Sequence, residues 1–148
     1  MTALSDALTQ YESDFAQLQT VLAQYPASLR TEPGACGDWS PQQVVAHLSG
    51  WLQEGKRRYK RFHTGTGKIN YNLDAFNAVS VRKRKDHNWA HAVAELEKLA
   101  FELAALARQV PDERSERDER YQEWLNIMAA EFREHGAQLV AFREQKKA

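Results

Sequence analysis

Residues 39–51 read WSPQQVVAHLSGW, and this stretch decides the fold. It begins like a helix N-terminus, because Ser40 can cap the helix, Pro41 suits the first helical position and Gln43 completes a capping box. Apolar residues then recur at steps of three and four, which is the period of an amphipathic helix. The sequence therefore predicts a helix that begins at Pro41 and ends near His63.

The same period recurs in three other parts of the chain. It predicts a first helix over residues 4–25, a third over 89–110, between an Asn88 cap and Pro111, and a fourth over 121–142. The alternating runs of β-branched residues that signal a strand are absent from the sequence. We therefore expect an all-α fold, and specifically a four-helix bundle.

The stretches between these helices are predicted as connections. Residues 26–39 and 64–67 contain the Gly, Pro and Thr residues of loops and turns. Residues 112–120 are nearly all charged with mixed signs, which suits a solvated connection or a frayed first turn. Asn72 is a candidate cap for a short helix that reaches Val79.

The size and charge of the chain exclude several classes of protein. Its 148 residues match one compact domain, so we expect a single domain over 1–148. With 43% hydrophobic and 27% charged residues it is a folding sequence rather than a disordered one. Twenty basic residues balance 20 acidic ones, so no net charge draws the chain toward nucleic acid. Nucleic acid is therefore not expected as a partner.

Other features bear on the compartment. Cys36 is the single cysteine and cannot form an internal disulfide, and residues 1–10 lack the basic and apolar regions of a secretion signal. No apolar stretch approaches the roughly 20 residues that a membrane span needs. We therefore expect a cytoplasmic protein that does not associate with membranes.

Positive charge is concentrated locally even though the total is neutral. Residues 56–88 contain ten Lys and Arg against two Asp, a net excess of eight. The favoured interpretation is a solvated helix face whose charges pair with acidic residues elsewhere. The alternative is a surface for an anionic substrate or nucleic acid, with Tyr59, Tyr71 and Trp89 as candidates for stacking.

Polar residues on apolar helix faces give the sharpest functional signal. His47 shares the face of Trp51 on the second helix, and Glu131 and His135 lie one turn apart on the buried face of the fourth. A buried carboxylate costs several kcal/mol unless it is paired or coordinated. One divalent metal ion bound by all three side chains would leave coordination positions open, as in catalytic sites. The alternative is a hydrogen-bonded core histidine beside a surface ion pair.

Three stretches of the chain resemble the DinB/YfiT-like superfamily. Residues 39–51 are similar to its second-helix signature, 74–78 (DAFNA) to its DxFN segment, and 131–135 (EFREH) to the HxxxH run of its last helix. The resemblance extends from about residue 5 to residue 143. It implies a four-helix bundle of up-down-down-up order in which many members carry a divalent metal on three histidines.

Carried over residue by residue, the resemblance implies His47, Glu131 and His135 as metal ligands. Glu131 replaces a family histidine, so the metal is open among Zn, Ni, Fe and Mn. We expect Trp51, Tyr59, Asn77 and Trp124 to line a pocket beside these ligands. The sequence assigns no catalytic residue.

The resemblance also implies candidate activities. Members include thiol-dependent transferases and isomerases that use a low-molecular-weight thiol, and the colibactin self-protection hydrolases are distant relatives. His47 and His135 favour the metal-bearing side of the family. We therefore expect a divalent-metal-dependent thiol transferase or hydrolase whose small-molecule substrate is an electrophile or thiol adduct. The alternative is a protective protein on the same bundle that sequesters a small molecule or contacts DNA without turnover, and either is compatible with a homodimer.

Overall fold

Six α-helices form the framework of the computed structural model, which describes residues 2–65 and 69–147. They are α1 (Ala3–Ala23), α2 (Pro41–Tyr59), α3 (Leu73–Lys83), α4 (Trp89–Arg108), α5 (Asp112–Arg117) and α6 (Arg120–Lys146). Within the described ranges there is no strand, only an isolated bridge between Cys36 and Trp39. The predicted all-α class is confirmed, whereas the up-down-down-up order of a four-helix bundle stays a prediction.

The predicted helix starts are confirmed by their caps. The Ser40 hydroxyl accepts from the Gln43 amide at 3.2 Å, and the Gln43 side chain accepts from the Ser40 amide at 3.0 Å. Asn72 and Asn88 cap α3 and α4 with their side-chain oxygens. These contacts satisfy backbone N–H groups that have no partner within the helix.

The predicted end of the second helix differs in the structure. Helix α2 ends at Tyr59 rather than near His63, and a separate 3-10 turn over Phe62–Thr64 follows it. Gly65 closes that turn with a φ of 74°, a backbone conformation that favours glycine. Thr66 and Gly67, the rest of the predicted turn, lie outside the described residues.

The charged stretch over 112–120, predicted as a solvated connection or a frayed first turn, contains a short helix. Helix α5 begins directly after Pro111, and Asp112 and Glu113 lie in its first turn. Acidic side chains at this end interact favourably with the helix dipole, and proline fixes the entry of the chain. Mixed charge therefore indicates exposure here rather than absence of structure.

Helix α3 continues to Lys83, beyond the apolar stripe visible in the sequence. Its end is held by Arg84, which is 7% exposed and donates to Glu95 at 2.7 Å and to Gln53 at 3.0 Å. The contact with Gln53 ties this end of α3 to α2, and the one with Glu95 ties it to α4. Polar contacts thus help to hold a helix in which Ser80 is the one buried residue.

The core lies where α1 packs against α6 and α2 packs against α4 and α6. Buried tyrosines connect these helices through their hydroxyls: Tyr11 donates to the Ala100 carbonyl at 2.7 Å, and Tyr25 to the Leu139 carbonyl at 2.8 Å. Within the part of the chain that the structure describes, no helix combines the length and apolarity required to cross a bilayer.

Helix α3 approaches α2 closely at Gly50. A Cβ at this position would overlap the side chain of Ser80, which is itself buried. Glycine is needed here because it leaves room for the neighbouring helix. The contact fixes how near α3, and with it Asn77, comes to α2.

We predict that Gly50→Ala lowers the free energy of unfolding by about 1–2 kcal/mol, because the steric cost of overpacking exceeds the helix propensity gained. Urea denaturation measures the change. Gly136→Ala is the matched control, since a Cβ there would meet Leu18 Cδ1 at an ordinary 3.7 Å. The prediction fails if Gly50→Ala is as stable as Gly136→Ala.

Candidate metal centre

The structure brings together the three predicted ligands from two helices. His47 comes from α2, and Glu131 and His135 come from α6. One potential ligand atom of each lies within 4.8 Å of the others. His135 Nε2 is 2.9 Å from Glu131 Oε2, and the two imidazole rings are 5.0 Å apart at 77°. When each metal–ligand bond is near 2.1 Å, two ligand atoms of one ion lie about 4 Å apart at most. Small side-chain movements would therefore bring these three groups within bonding distance of one ion.

Burial differs among the three groups. His47 is 5% exposed and His135 is 6% exposed, whereas the Glu131 side chain is 31% exposed. The imidazoles are therefore shielded from water on the helix side. Glu131 and His47 both line the cavity described below, so the open side of the site faces that cavity.

Both imidazoles are oriented by side-chain amides. His47 Nδ1 lies 3.1 Å from Asn77 Oδ1, and His135 Nδ1 lies 2.7 Å from Gln138 Oε1. These contacts leave Nε2 of each ring as the nitrogen that a metal ion would bind, although His135 Nε2 pairs with Glu131 in this structure. Second contacts at Nδ1 are typical of histidine ligands. The residues present therefore fit a divalent cation, with two imidazoles and one carboxylate.

The charges at the site are balanced internally. Burial and the neighbouring His135 lower the pKa of His47 to about 4, so His47 is neutral at pH 7. Burial alone would lower the pKa of His135, but hydrogen bonds to Glu131 and Gln138 outweigh it and raise that pKa. The hydrogen bond from His135 lowers the pKa of Glu131. His135 thus supplies the partner that a buried carboxylate requires.

Beside the site lies a cavity of about 630 Å³. Three of the four residues expected to line a pocket do so: Trp51, Asn77 and Trp124. Tyr59 does not, because its hydroxyl donates to the Tyr121 carbonyl at 2.5 Å and its ring lines a separate space of about 160 Å³. The expectation for Tyr59 is therefore corrected.

Other residues of the cavity were missed in the sequence analysis. Tyr71 and Phe62 add aromatic surface, and Tyr71 is held by a hydrogen bond to the carboxylate of Glu54. Glu119, which directly precedes α6, and Glu123 on α6 line the cavity as well. Their four-residue spacing, with Glu131 two further turns along the same helix face, was a signal that could have found them.

At least three of the ten basic side chains of the 56–88 segment form ion pairs with acidic residues. Lys56 pairs with Glu102 at 3.1 Å, Arg57 with Glu54 at 2.7 Å and Arg84 with Glu95 at 2.7 Å. These pairs agree with the favoured interpretation of a paired helix face. Arg82, Lys83 and Lys85 are exposed.

The fold and the site together define an all-helical protein in which a cluster of two histidines and a glutamate borders an apolar cavity. No family model matches the chain, and no curated protein matches it. An uncharacterised protein from Escherichia coli UTI89 has a similar structure, with a TM-score of 0.82 at 14% identity, over 97% of this chain and 94% of that chain.

The colibactin self-resistance protein ClbS, crystallised in complex with a double-stranded DNA, is also similar. Its TM-score is 0.76 at 17% identity, over 93% of both chains. Identities this low show the shared fold alone. They support the distant structural relation to a colibactin self-protection protein, and membership of the DinB/YfiT-like superfamily stays a prediction.

Acid should destabilise the metal-free protein through His47. Unfolded His47 takes up its proton near pH 6.5 and folded His47 near pH 4, so stability is lost as the pH falls between these values. The loss amounts to about 3 kcal/mol. His135 acts in the opposite direction, since its raised pKa contributes stability that is lost as the pH rises.

Urea denaturation from pH 7 to pH 4, with chelator present, tests this prediction. His47→Gln is neutral throughout the range and keeps His135, so its stability should depend less steeply on pH than that of the parent protein. Equal slopes for the two proteins would contradict the assignment.

Proposed function

We propose that this protein binds one divalent metal ion through His47, Glu131 and His135 and acts on a small, largely apolar molecule held in the adjoining cavity. One observation carries the proposal: two imidazoles braced at Nδ1 and a carboxylate form one cluster, and two of its members, His47 and Glu131, line that cavity. Convergent polar groups in an apolar concavity are typical of sites for small ligands.

The cavity supports a small-molecule substrate by its size and its walls. A volume of about 630 Å³ falls in the range that small-ligand sites occupy. The rings of Trp51, Trp124, Tyr71 and Phe62 offer flat apolar surface. Charged side chains, among them Glu123, lie along the same cavity. A molecule with an apolar ring or chain and one polar end fits this distribution.

A divalent ion bound here would supply Lewis-acid activation, lowering the pKa of a thiol or of water. The protein's own residues provide the setting for that chemistry. His47 is a neutral ligand at pH 7, and Glu131 supplies negative charge at the edge of the cavity. Trp51 and Trp124 exclude water and orient the substrate. The resulting activity would be that of a thiol transferase or hydrolase acting on a small electrophile or thiol adduct.

A protective protein that binds without turnover is the second candidate. The Glu131–His135 pair satisfies itself without a metal ion. The fold is also similar to that of ClbS, a colibactin self-resistance protein crystallised in complex with double-stranded DNA. Arg82, Lys83 and Lys85 are exposed on one short stretch and would be the phosphate contacts.

Metal content decides between the two candidates. We expect untagged protein purified without chelator to carry close to one divalent ion per chain by elemental mass spectrometry. His47→Ala and Glu131→Gln should each carry much less, because each removes a ligand. His91→Ala is the matched control, since His91 is exposed and lies outside the cluster.

A protein that binds no metal would favour the second candidate, a protective protein without turnover. A folded parent protein that stays empty after incubation with Zn, Ni, Mn or Fe(II) would overturn the metal-dependent function.

DNA binding is a separate prediction of the second candidate. It should persist in chelator, weaken steeply with salt and fall when Arg82, Lys83 and Lys85 are all changed to Ser. Lys98→Ser is the control, since Lys98 is an exposed cation outside that stretch. Fluorescence anisotropy with a labelled duplex measures it. Binding that is unchanged in the triple variant would exclude this surface.

A further inference from the structure

One atom of Asn77 lies within hydrogen-bond distance of two side chains. Its Oδ1 lies 2.7 Å from the indole Nε1 of Trp51 and 3.1 Å from His47 Nδ1. Asn77 comes from α3, which contributes none of the three candidate ligands. Helix α3, which carries no candidate ligand, therefore contacts Nδ1 of the candidate ligand His47.

The chemistry of these groups determines where their protons lie. An indole N–H can only donate, so the atom facing Trp51 must be the oxygen of the Asn77 amide and not its NH₂ group. The same oxygen can only accept from His47. A neutral His47 must therefore carry its proton on Nδ1 and its lone pair on Nε2.

Trp51 is itself fixed by its neighbours. Its ring stacks on Phe76 with centroids 4.1 Å apart at 30°, and it meets the edge of Tyr71 at 5.1 Å. Trp39 also packs against the His47 ring, with centroids 5.0 Å apart. The donor that orients the amide is thus held in place by packing.

We propose that Asn77 is a positioning residue that selects the Nδ1-protonated form of His47, and that Trp51 fixes the orientation of the Asn77 amide. The inference deepens the proposed function, because the selected form presents the Nε2 lone pair to the metal centre. Free neutral imidazole favours the proton on Nε2, the form in which that nitrogen cannot bind a metal. Asn77 therefore stabilises the tautomer of His47 that free imidazole disfavours.

The tautomer can be observed directly in metal-free protein. Long-range proton–nitrogen NMR on ¹⁵N-histidine-labelled protein at pH 7 distinguishes the two neutral forms, and His47→Gln assigns the signals. We expect the parent protein to show His47 protonated on Nδ1. Asn77→Leu removes the acceptor and should move His47 toward protonation on Nε2. Asn77→Asp keeps an acceptor at the same place and should retain the parent form.

Two further variants separate positioning from general damage. Trp51→Phe keeps a ring but removes the donor that orients the amide, so a mixture of tautomers is expected, and this variant also serves if Asn77→Leu does not fold. Val79→Ala changes the same helix at a half-exposed position away from the amide and should retain the parent tautomer.

Metal binding gives the second readout. Loss of an outer-shell partner costs about 10- to 100-fold in metal affinity. We expect such a fall in Asn77→Leu, with the parent affinity largely restored in Asn77→Asp. A parent His47 protonated on Nε2, or an Asn77→Leu protein with the parent tautomer, would overturn the inference.

The two proposals fail in different ways. An empty parent protein overturns the proposed metal function, while the tautomer in that same metal-free sample still decides the role of Asn77. A tautomer that changes without a fall in metal affinity would overturn the positioning role.

Discussion

Two imidazoles buried within 5.0 Å of each other impose the constraint on which the rest of this structure depends. A ring nitrogen that loses water must find a partner, and two protonated rings this close would repel each other. The protein meets the first demand with amide oxygens from Asn77 and Gln138, and the second by keeping His47 neutral while His135 pairs with Glu131. The polar site is thus stable within an apolar interior.

This arrangement requires a third helix close to α2. Gly50 lets α3 approach, and Arg84 holds the end of α3 through α2 and α4. The same approach places Asn77 between His47 and Trp51, and it forms one wall of the cavity. A short helix of low apolarity therefore positions the site, although it supplies none of its three acidic or histidine side chains.

Sequence reasoning succeeded where a local rule determines the outcome. The Ser40 capping box and the Asn72 and Asn88 caps indicate helix starts by direct hydrogen bonding. Helical periodicity placed His47 and the Glu131–His135 pair on inward faces and made one metal ion for all three a candidate, and the family resemblance implied the same set. That set is grouped in space, and its metal binding stays a proposal.

The cavity was harder to predict because it depends on distance between helices rather than on period. Tyr59 lies on the predicted face, but its hydroxyl is engaged by a backbone carbonyl, so it faces away from the cavity. Tyr71 precedes α3 and shows no periodic signal. The hydrogen bond from Tyr71 to Glu54 joins residues that are 17 positions apart in the sequence, so a local sequence pattern does not predict it.

The shared oxygen of Asn77 also bears on how such a protein can diverge. Trp51 is both a wall of the cavity and the group that orients this amide, so a substitution that reshapes the wall there also disturbs His47. Ile127 and Leu73 line the cavity and are 60% and 58% exposed, without a contact to that oxygen. The rim of the cavity can therefore change shape without disturbing His47, whereas a change at Trp51 also alters the cluster of His47, Glu131 and His135.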